Sequence, residues 1–219
     1  MIETQLKPPG YIVIEGPIGV GKTSLVNRLA NSFACDTLLE AAEENPFLER
    51  FYTDGRTAAF PTQLFFLFQR SQQLQNLRQA DMFRSTLVAD FMLEKDRLFA
   101  QVNLDDAEMN LYEQVYGSLT MQAPAPDLVV YLQAPVEVLL KRIQKRARPQ
   151  ERQMDADYLQ RLSDAYTEFF YRYDRSPLLI VNATEINPVD SDEDYQLLLE
   201  RICSVRSGKH YFNLAPVLV

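Results

Sequence analysis

The stretch GPIGVGKT, residues Gly16, Pro17, Ile18, Gly19, Val20, Gly21, Lys22 and Thr23, fits the pattern G-x-x-x-x-G-K-[ST] and decides the fold. In such a loop the backbone N–H groups and the N-terminus of the next helix surround phosphates. Lys22 is expected to reach the β and γ oxygens, and Thr23 to offer a hydroxyl to Mg²⁺, with Ser24 completing the ATP-binding run. The pattern needs a strand before it and a helix after it. YIVIE (11–15) is a short apolar run, and SLVNRLANSF (24–33) has helical spacing, so both requirements are met. The loop names a donor of phosphate but no acceptor: water, another nucleotide, a protein and a small alcohol all remain open.

Outward from the loop, apolar runs alternate with helical patterns. TLLE (37–40), STLVAD (85–90), DLVVYLQ (127–133) and PLLIVNA (177–183) read as strands. NPFLERFY (45–52), with Pro near its start, and PTQLFFLFQRSQQLQNLRQA (61–80) read as helices. VEVLLKRIQKRARPQERQ (136–153) is an amphipathic helix running into a basic, proline-broken segment, DADYLQRLSDAYTEFFYRY (155–173) is a further helix, and DSDED (190–194) opens a C-terminal one. The alternation predicts an α/β P-loop fold, a five-stranded parallel sheet flanked by helices, with an arginine-rich lid at about 142–154. A length of 219 residues fits one domain spanning 1–219.

Apolar residues make up 47% of the chain and charged residues 24%, the profile of a soluble globular protein. The longest apolar runs, 64–68 and 128–132, fall far short of the roughly 20 residues of a membrane span, and no secretory signal is visible, so a cytoplasmic protein without membrane contact is expected. A net charge of -8, with a pI near 4.8, argues against a nucleic-acid partner. Cys35 and Cys203 have neither CxxC spacing nor a histidine cluster beside them, and are expected as reduced, partly buried thiols. His210, the single histidine, sits in a tail that the pattern does not place, and no histidine base is expected.

The strings D-x-x-G and N-K-x-D of GTPases are absent, and the strand ending in Asp90 is followed by Phe91 rather than by the second acid common in ATPase motors. A small-molecule kinase needs an acceptor pocket, a carboxylate to take the hydroxyl proton and mobile cations for the moving phosphoryl group. Glu40 and Asp90 each end a strand, where ligands sit in doubly wound sheets. Arg142, Arg146 and Arg148 lie within seven residues, with Lys141 and Lys145 among them; the cluster suits an anionic partner, the plainer reading being a solvated helix face. Gln63 and Arg70 are seven apart, hence on one face of a helix rich in Leu and Phe. A carboxamide suits the hydrogen-bonding edge of a base, the plainer reading being a polar edge on a buried helix.

From the loop to about residue 170 the sequence resembles the deoxyribonucleoside kinases, the group of deoxycytidine, deoxyguanosine and bacterial deoxyadenosine kinases. EAAEENPFLERFYTDGRTAAFPTQLFFLFQR is similar to that family's E-P-x-x-x-N-P stretch and to the Tyr…Gln…Arg spacing of its nucleoside pocket, with intervals of eleven and seven. The resemblance implies Glu40 as the base acting on the sugar 5′-hydroxyl, Tyr52 and Glu151 as partners of the 3′-hydroxyl, and Gln63 as reader of the base. Arg70 and Asp96 match the pair of members that accept purine deoxynucleosides or deoxycytidine. Phe99 occupies the place of a stacking aromatic, Arg142, Arg146 and Arg148 match the lid arginines, and Asp90 matches the acid of the E/D-R-S motif. Asp90 thereby joins Thr23 toward Mg²⁺, and joins Glu40, Lys22 and Arg142 as the catalytic set. A homodimer is implied as well, through long apolar helices such as 63–80 and 155–173.

The sequence departs from that pattern at two points. Phe91 stands where an arginine follows the acid, so part of the charge at the 5′ end is missing or comes from Arg97 or the lid. Ala41 replaces the proline after the catalytic glutamate, which leaves Glu43 and Glu44 as alternatives to Glu40. The expected activity is ATP-dependent phosphorylation of the 5′-hydroxyl of deoxyadenosine or deoxyguanosine. A thymidylate-like monophosphate kinase and a P-loop regulator that is not a kinase stand as alternatives.

Overall fold

The computed structural model describes residues 7–79, 86–119, 124–148, 151, 154–184 and 186–213, with the side chains of 77–79 excepted. Ala80 of the expected helix 61–80, Ser85 of the expected strand 85–90, and Pro149, Gln150, Arg152 and Gln153 of the expected lid lie outside these residues.

The sheet is formed by β1 (Tyr11–Glu15), β2 (Asp36–Leu38), β3 (Leu87–Ala89), β4 (Leu128–Gln133), β5 (Leu178–Asn182) and β6 (Lys209–Phe212), in the order β2-β3-β1-β4-β5-β6. Every pairing is parallel; Ile12 sits opposite Val88 on one side and Leu128 on the other. Six strands replace the expected five. The additional one, β6, is a four-residue edge strand whose side chains alternate between exposed and half-buried, so no apolar run announces it. His210 lies on it, with Nδ1 2.9 Å from an Arg201 nitrogen.

The helices are α1 (Lys22–Phe33), α2 (Leu48–Asp54), α3 (Arg56–Gln79), α4 (Glu94–Asn103), α5 (Asp106–Leu119), α6 (Val136–Arg146), α7 (Ala156–Arg172) and α8 (Asp192–Ser204). Successive side chains along a strand point to opposite faces, and both faces are covered. Ile12, Ile14, Val130 and Val181 pack with Leu25 and Leu29 of α1, Ile143 of α6 and Leu198 of α8. Val13, Val129 and Ile180 pack on the other face with Leu98 of α4 and Leu162, Tyr166 and Phe170 of α7.

Local chemistry sets several helix ends. Asp155 caps α7 by accepting from the N–H groups of Asp157 and Tyr158, and Ser191 caps α8 by accepting from Asp194. Asn45 turns the chain into α2: its Oδ1 accepts from Phe47 N at 3.0 Å and its Nδ2 donates to the Thr62 carbonyl at 3.2 Å. That turn delays α2 by three residues relative to the expected start at 45. α3 begins at Arg56, directly after Gly55, so Pro61 lies inside the helix rather than opening it.

α4 and α5, which the sequence pattern did not announce, form a third cluster with α3 around Leu67, Leu74, Leu93 and the fully buried Phe91 and Tyr112. This layer carries one wall of the site. Cys35 is half-buried and Cys203 buried, both as free thiols. Among the described residues, no helix is long and apolar enough to cross a membrane.

Candidate active site

The loop after β1 works through close approach. A Cβ on Gly16 (φ 147°) would lie 2.5 Å from the Leu132 carbonyl oxygen, and one on Gly19 (φ 85°) would lie 2.9 Å from that of Leu139. Only glycine lets the loop lie flat against β4 and α6 in that backbone conformation. Val20 is anchored in the core, Pro17 is buried, Gly21 precedes α1, and Ser24 is exposed on its first turn. Lys22 Nζ donates to the loop's own carbonyls, Gly16 at 2.7 Å and Pro17 at 3.3 Å. Burial, reinforced by the nearby Lys95 charge, lowers its pKa to about 8.

Beside the loop opens a cavity of about 500 Å³. Ile18, Gly19, Lys22 and Thr23 form one end, and Glu40, Gln63, Arg70 and Lys95 are among the residues of the other. Asp90 joins the two ends: its Oδ2 accepts from Thr23 Oγ1 at 2.7 Å, and its Oδ1 accepts from the backbone N of Glu40 at 2.8 Å. Thr23 and Asp90 offer hard oxygen ligands. Among the described residues, no cluster of three or more Asp, Glu, His or Cys could hold a metal ion. One or two protein oxygens, with waters and phosphates for the rest, is the arrangement that suits Mg²⁺, so the residues present fit that ion.

Glu40 sits two residues beyond β2. Its Oε1 accepts from Arg70 Nε at 2.8 Å and from Arg70 NH2, and its Oε2 accepts from Lys95 Nζ at 3.1 Å. Burial alone would raise its pKa; the charges of Arg70 and Lys95 more than reverse this and hold the carboxyl well below the usual range. It is therefore a permanent anion at any ordinary pH. Arg70 NH1 also donates to Asp96, whose other oxygen accepts from Tyr112 OH at 3.0 Å. Arg70 and Asp96 are 2% and 0% exposed, a buried ion pair whose remaining lone pairs are largely satisfied. Glu44 is turned away onto Gln69 Nε2 at 2.9 Å, and Glu43 is on the cavity wall without these cations; of the three acids, Glu40 is the one held at the meeting of loop and pocket.

Gln63 is 1% exposed, lines the cavity with Arg70, and its Oε1 has no hydrogen-bond partner; Thr62 Oγ1, on the same wall, has none either. A buried polar atom left unpaired costs about 1–3 kcal/mol, so these atoms mark where a polar ligand would bind. Phe66 lies under Arg70, its ring centroid 4.8 Å from the guanidinium carbon, and Phe99 packs edge-on against Tyr166 at 6.1 Å. Tyr52 and Glu151 also line the cavity. Burial first, and then the charges of Tyr158 and Glu151, push the Tyr52 hydroxyl well above its ordinary pKa.

The basic segment divides. Arg146 and Arg148 line the cavity and face Glu151, with Arg146 NH2 2.5 Å from Glu151 Oε2 and Arg148 NH1 4.0 Å from Oε1. Arg142 points elsewhere, donating to the carbonyls of Val20 at 3.2 Å and Ala183 at 2.7 Å, which fastens the loop to the end of β5. Arg97 pairs with Glu113 on the exposed surface between α4 and α5 and does not line the cavity; Phe91 is buried in the third cluster. The second cation on Glu40, beside Arg70, is instead Lys95, which sequence reasoning missed. Its segment, LEKDR, reads as an ordinary charged helix start. Tyr112 was missed for a different cause, since its helix was not recognised.

Comparisons with known proteins bear on the family and the fold. The family described as deoxynucleoside kinase matches residues 12–205. The chain is 34% identical over 157 residues to a deoxyguanosine kinase of Bacillus subtilis, covering 71% of this chain and 76% of that protein. It is 32% identical over 205 residues to a deoxyguanosine kinase of Lactobacillus acidophilus, covering 87% and 88%. Among solved structures it is similar to a deoxyadenosine kinase from M. mycoides with bound dATP, at TM-score 0.77 and 26% identity, covering 89% of this chain and 100% of that one.

Proposed function

The chain belongs to the deoxynucleoside kinase family, and on that premise we propose that it transfers the γ-phosphoryl group of ATP to the 5′-hydroxyl of deoxyadenosine or deoxyguanosine. The observation that carries this reading is the single cavity running from Lys22 and Thr23 to the unpaired amide oxygen of Gln63, with Glu40 between them. Donor phosphates at one end and a base at the other leave the sugar beside Glu40. The purine preference draws support from the buried Arg70–Asp96 pair and from relatives that are deoxyguanosine and deoxyadenosine kinases.

Lys22 and the loop N–H groups hold the donor phosphates. Mg²⁺ would be held by Thr23 and Asp90 together with phosphate oxygens, and it supplies neutralisation of phosphate charge. Tyr52 and Glu151 fix the 3′-hydroxyl, Gln63 and Arg70 meet the base, and Phe99 flanks it. Glu40 accepts the 5′-hydroxyl proton late in the transfer, when the forming bond has made that proton acidic; a weakly basic carboxylate suffices because the protein mainly positions and neutralises. Arg146 and Arg148 form the working part of the lid over the phosphates. Arg142 would join them only after releasing the Val20 and Ala183 carbonyls.

The reading extends to one domain over 1–219, working in the cytoplasm as a homodimer. Exposed apolar residues on α3 and α5, Phe68 and Leu111, support the last point. The test is incubation with ATP, Mg²⁺ and each of the four deoxynucleosides, then their monophosphates. Purine deoxynucleosides should give 5′-monophosphates at the highest kcat/KM; turnover of monophosphates alone would remove the proposal.

A further inference from the structure

Lys95 has no part in the reaction as written above, yet it is a lysine only 4% exposed on the cavity wall that Lys22, Thr23 and Asp90 also line. Buried lysines are rare unless paired. Its position is fixed from three sides. Its backbone N–H donates to the Met92 carbonyl at 3.2 Å, and Met92 N donates to Glu15 Oε1 at 2.9 Å. Glu15, fully buried at the end of β1, accepts at its other oxygen from Gly16 N and from Tyr166 OH, both at 3.1 Å. The first turn of α4 is thereby tied through Glu15 to the first glycine of the phosphate loop. The Lys95 ammonium lies 5.6 Å from the Phe99 ring centroid on one side and 3.1 Å from Glu40 on the other.

Arg70 donates twice to Glu40 but shares its single charge with Asp96, so Lys95 balances the charge of the cluster with one bond to Glu40 Oε2. An ammonium has three N–H groups, and one is directed at Glu40. We propose that Lys95 is a catalytic residue of the transfer step: it donates to a non-bridging oxygen of the γ-phosphoryl group in transit while holding Glu40 Oε2 in place. This role rests on the kinase reaction proposed above. As the bond from the 5′ oxygen to the γ phosphorus forms, the bond from that phosphorus to the β,γ-bridging oxygen breaks and its electron pair leaves with ADP. The hydroxyl proton passes to Glu40 and then to water. Lys22 faces the donor side of the moving group, and Lys95 faces the acceptor side. The two charges are close enough for Lys95 to contribute to the lowered pKa of Lys22.

The test uses the full chain with ATP, Mg²⁺ and the deoxynucleoside that the wild type turns over best. In Lys95→Gln, kcat should fall by about 10²–10³ while both KM values stay within about threefold, the pattern of a contact made only in the transition state. Lys95→Arg should recover at least about tenfold of the loss, and Lys95→Ala should gain turnover saturably with added methylammonium. A kcat for Lys95→Gln within about threefold of wild type, or a loss confined to nucleoside KM, overturns the proposal; the second result would make Lys95 a nucleoside-binding residue only. If Lys95→Gln does not fold, Glu15→Gln/Lys95→Met, which removes the Lys95 charge together with the buried Glu15 charge that it opposes electrostatically, is compared with Glu15→Gln alone by the same criteria. A wild-type chain that phosphorylates no deoxynucleoside removes the functional reading itself, whereas normal wild-type turnover matched by Lys95→Gln removes only this role.

Discussion

The two ends of the cavity are built differently. The donor end is eight consecutive residues working mainly through backbone: glycines that permit close approach, N–H groups and one lysine. The acceptor end is made of side chains brought from four places: Glu40 beyond β2, Arg70 on α3, Lys95 and Asp96 on α4, and Tyr112 on α5. A backbone site tolerates no change at its glycines but is written in one stretch. A side-chain site is spread over more than seventy residues and depends on the packing of the α3, α4 and α5 layer. Damage should therefore separate, with loop changes acting on the nucleotide and network changes on the nucleoside.

The largest effect should come from Glu40→Gln, which lies where the two ends meet and acts on turnover rather than on either affinity. Turnover should fall about 10²–10⁴-fold, the range for a lost proton acceptor, while ATP and nucleoside affinities measured by calorimetry change by no more than a few fold. Asp96→Asn leaves Arg70 with Glu40 as its remaining anion; breaking a buried pair from one side costs about 3–5 kcal/mol, to be read by urea unfolding, and nucleoside binding should weaken while ATP binding holds. Gly16→Ala should act in the opposite sense. It forces a side chain into a positive-φ position against the Leu132 carbonyl, costing about 1–3 kcal/mol and weakening ATP with nucleoside affinity retained.

A pH titration distinguishes the ends without mutation. Lys22, lowered to about 8, is charged below that value and neutral above it, so nucleotide affinity is full near pH 7 and declines as pH rises. At fixed Mg²⁺ the nucleotide Kd should rise about threefold between pH 7.5 and 8.5, whereas the Glu40 carboxylate stays ionised throughout. The smallest effect is expected from Tyr112→Phe. Losing its bond to Asp96 should cost about 1 kcal/mol of stability and raise nucleoside KM modestly with kcat unchanged.

Much of the fold could be read from the sequence because its signals are local. Strands buried on both faces read as continuous apolar runs, and the loop sequence carries its own geometry. What escaped lacked such signals: β6 is a half-exposed edge strand, and α4 and α5 mix charge into their faces so that no strong periodicity stands out. Glu40, Gln63 and Arg70 were singled out by type and position and Asp96 by the family resemblance; the fold joins Glu40, Arg70 and Asp96 in one hydrogen-bonded network and puts Gln63 on the wall of the same cavity. Arg97 was considered for the missing charge by proximity in sequence, but α4 turns it outward to Glu113 while Lys95, two residues earlier and so on another face of the helix, turns inward.

By itself the sequence determined the phosphate loop, the order of alternating elements and the stock of charged residues, because these depend on neighbours a few residues apart. Only the tertiary structure decided which charges meet. It put Arg70 between Glu40 and Asp96, Arg142 on the carbonyls of Val20 and Ala183, and Lys95 on Glu40, because partners in an ion pair are chosen by the packing of distant helices, and no local pattern of residues records that packing.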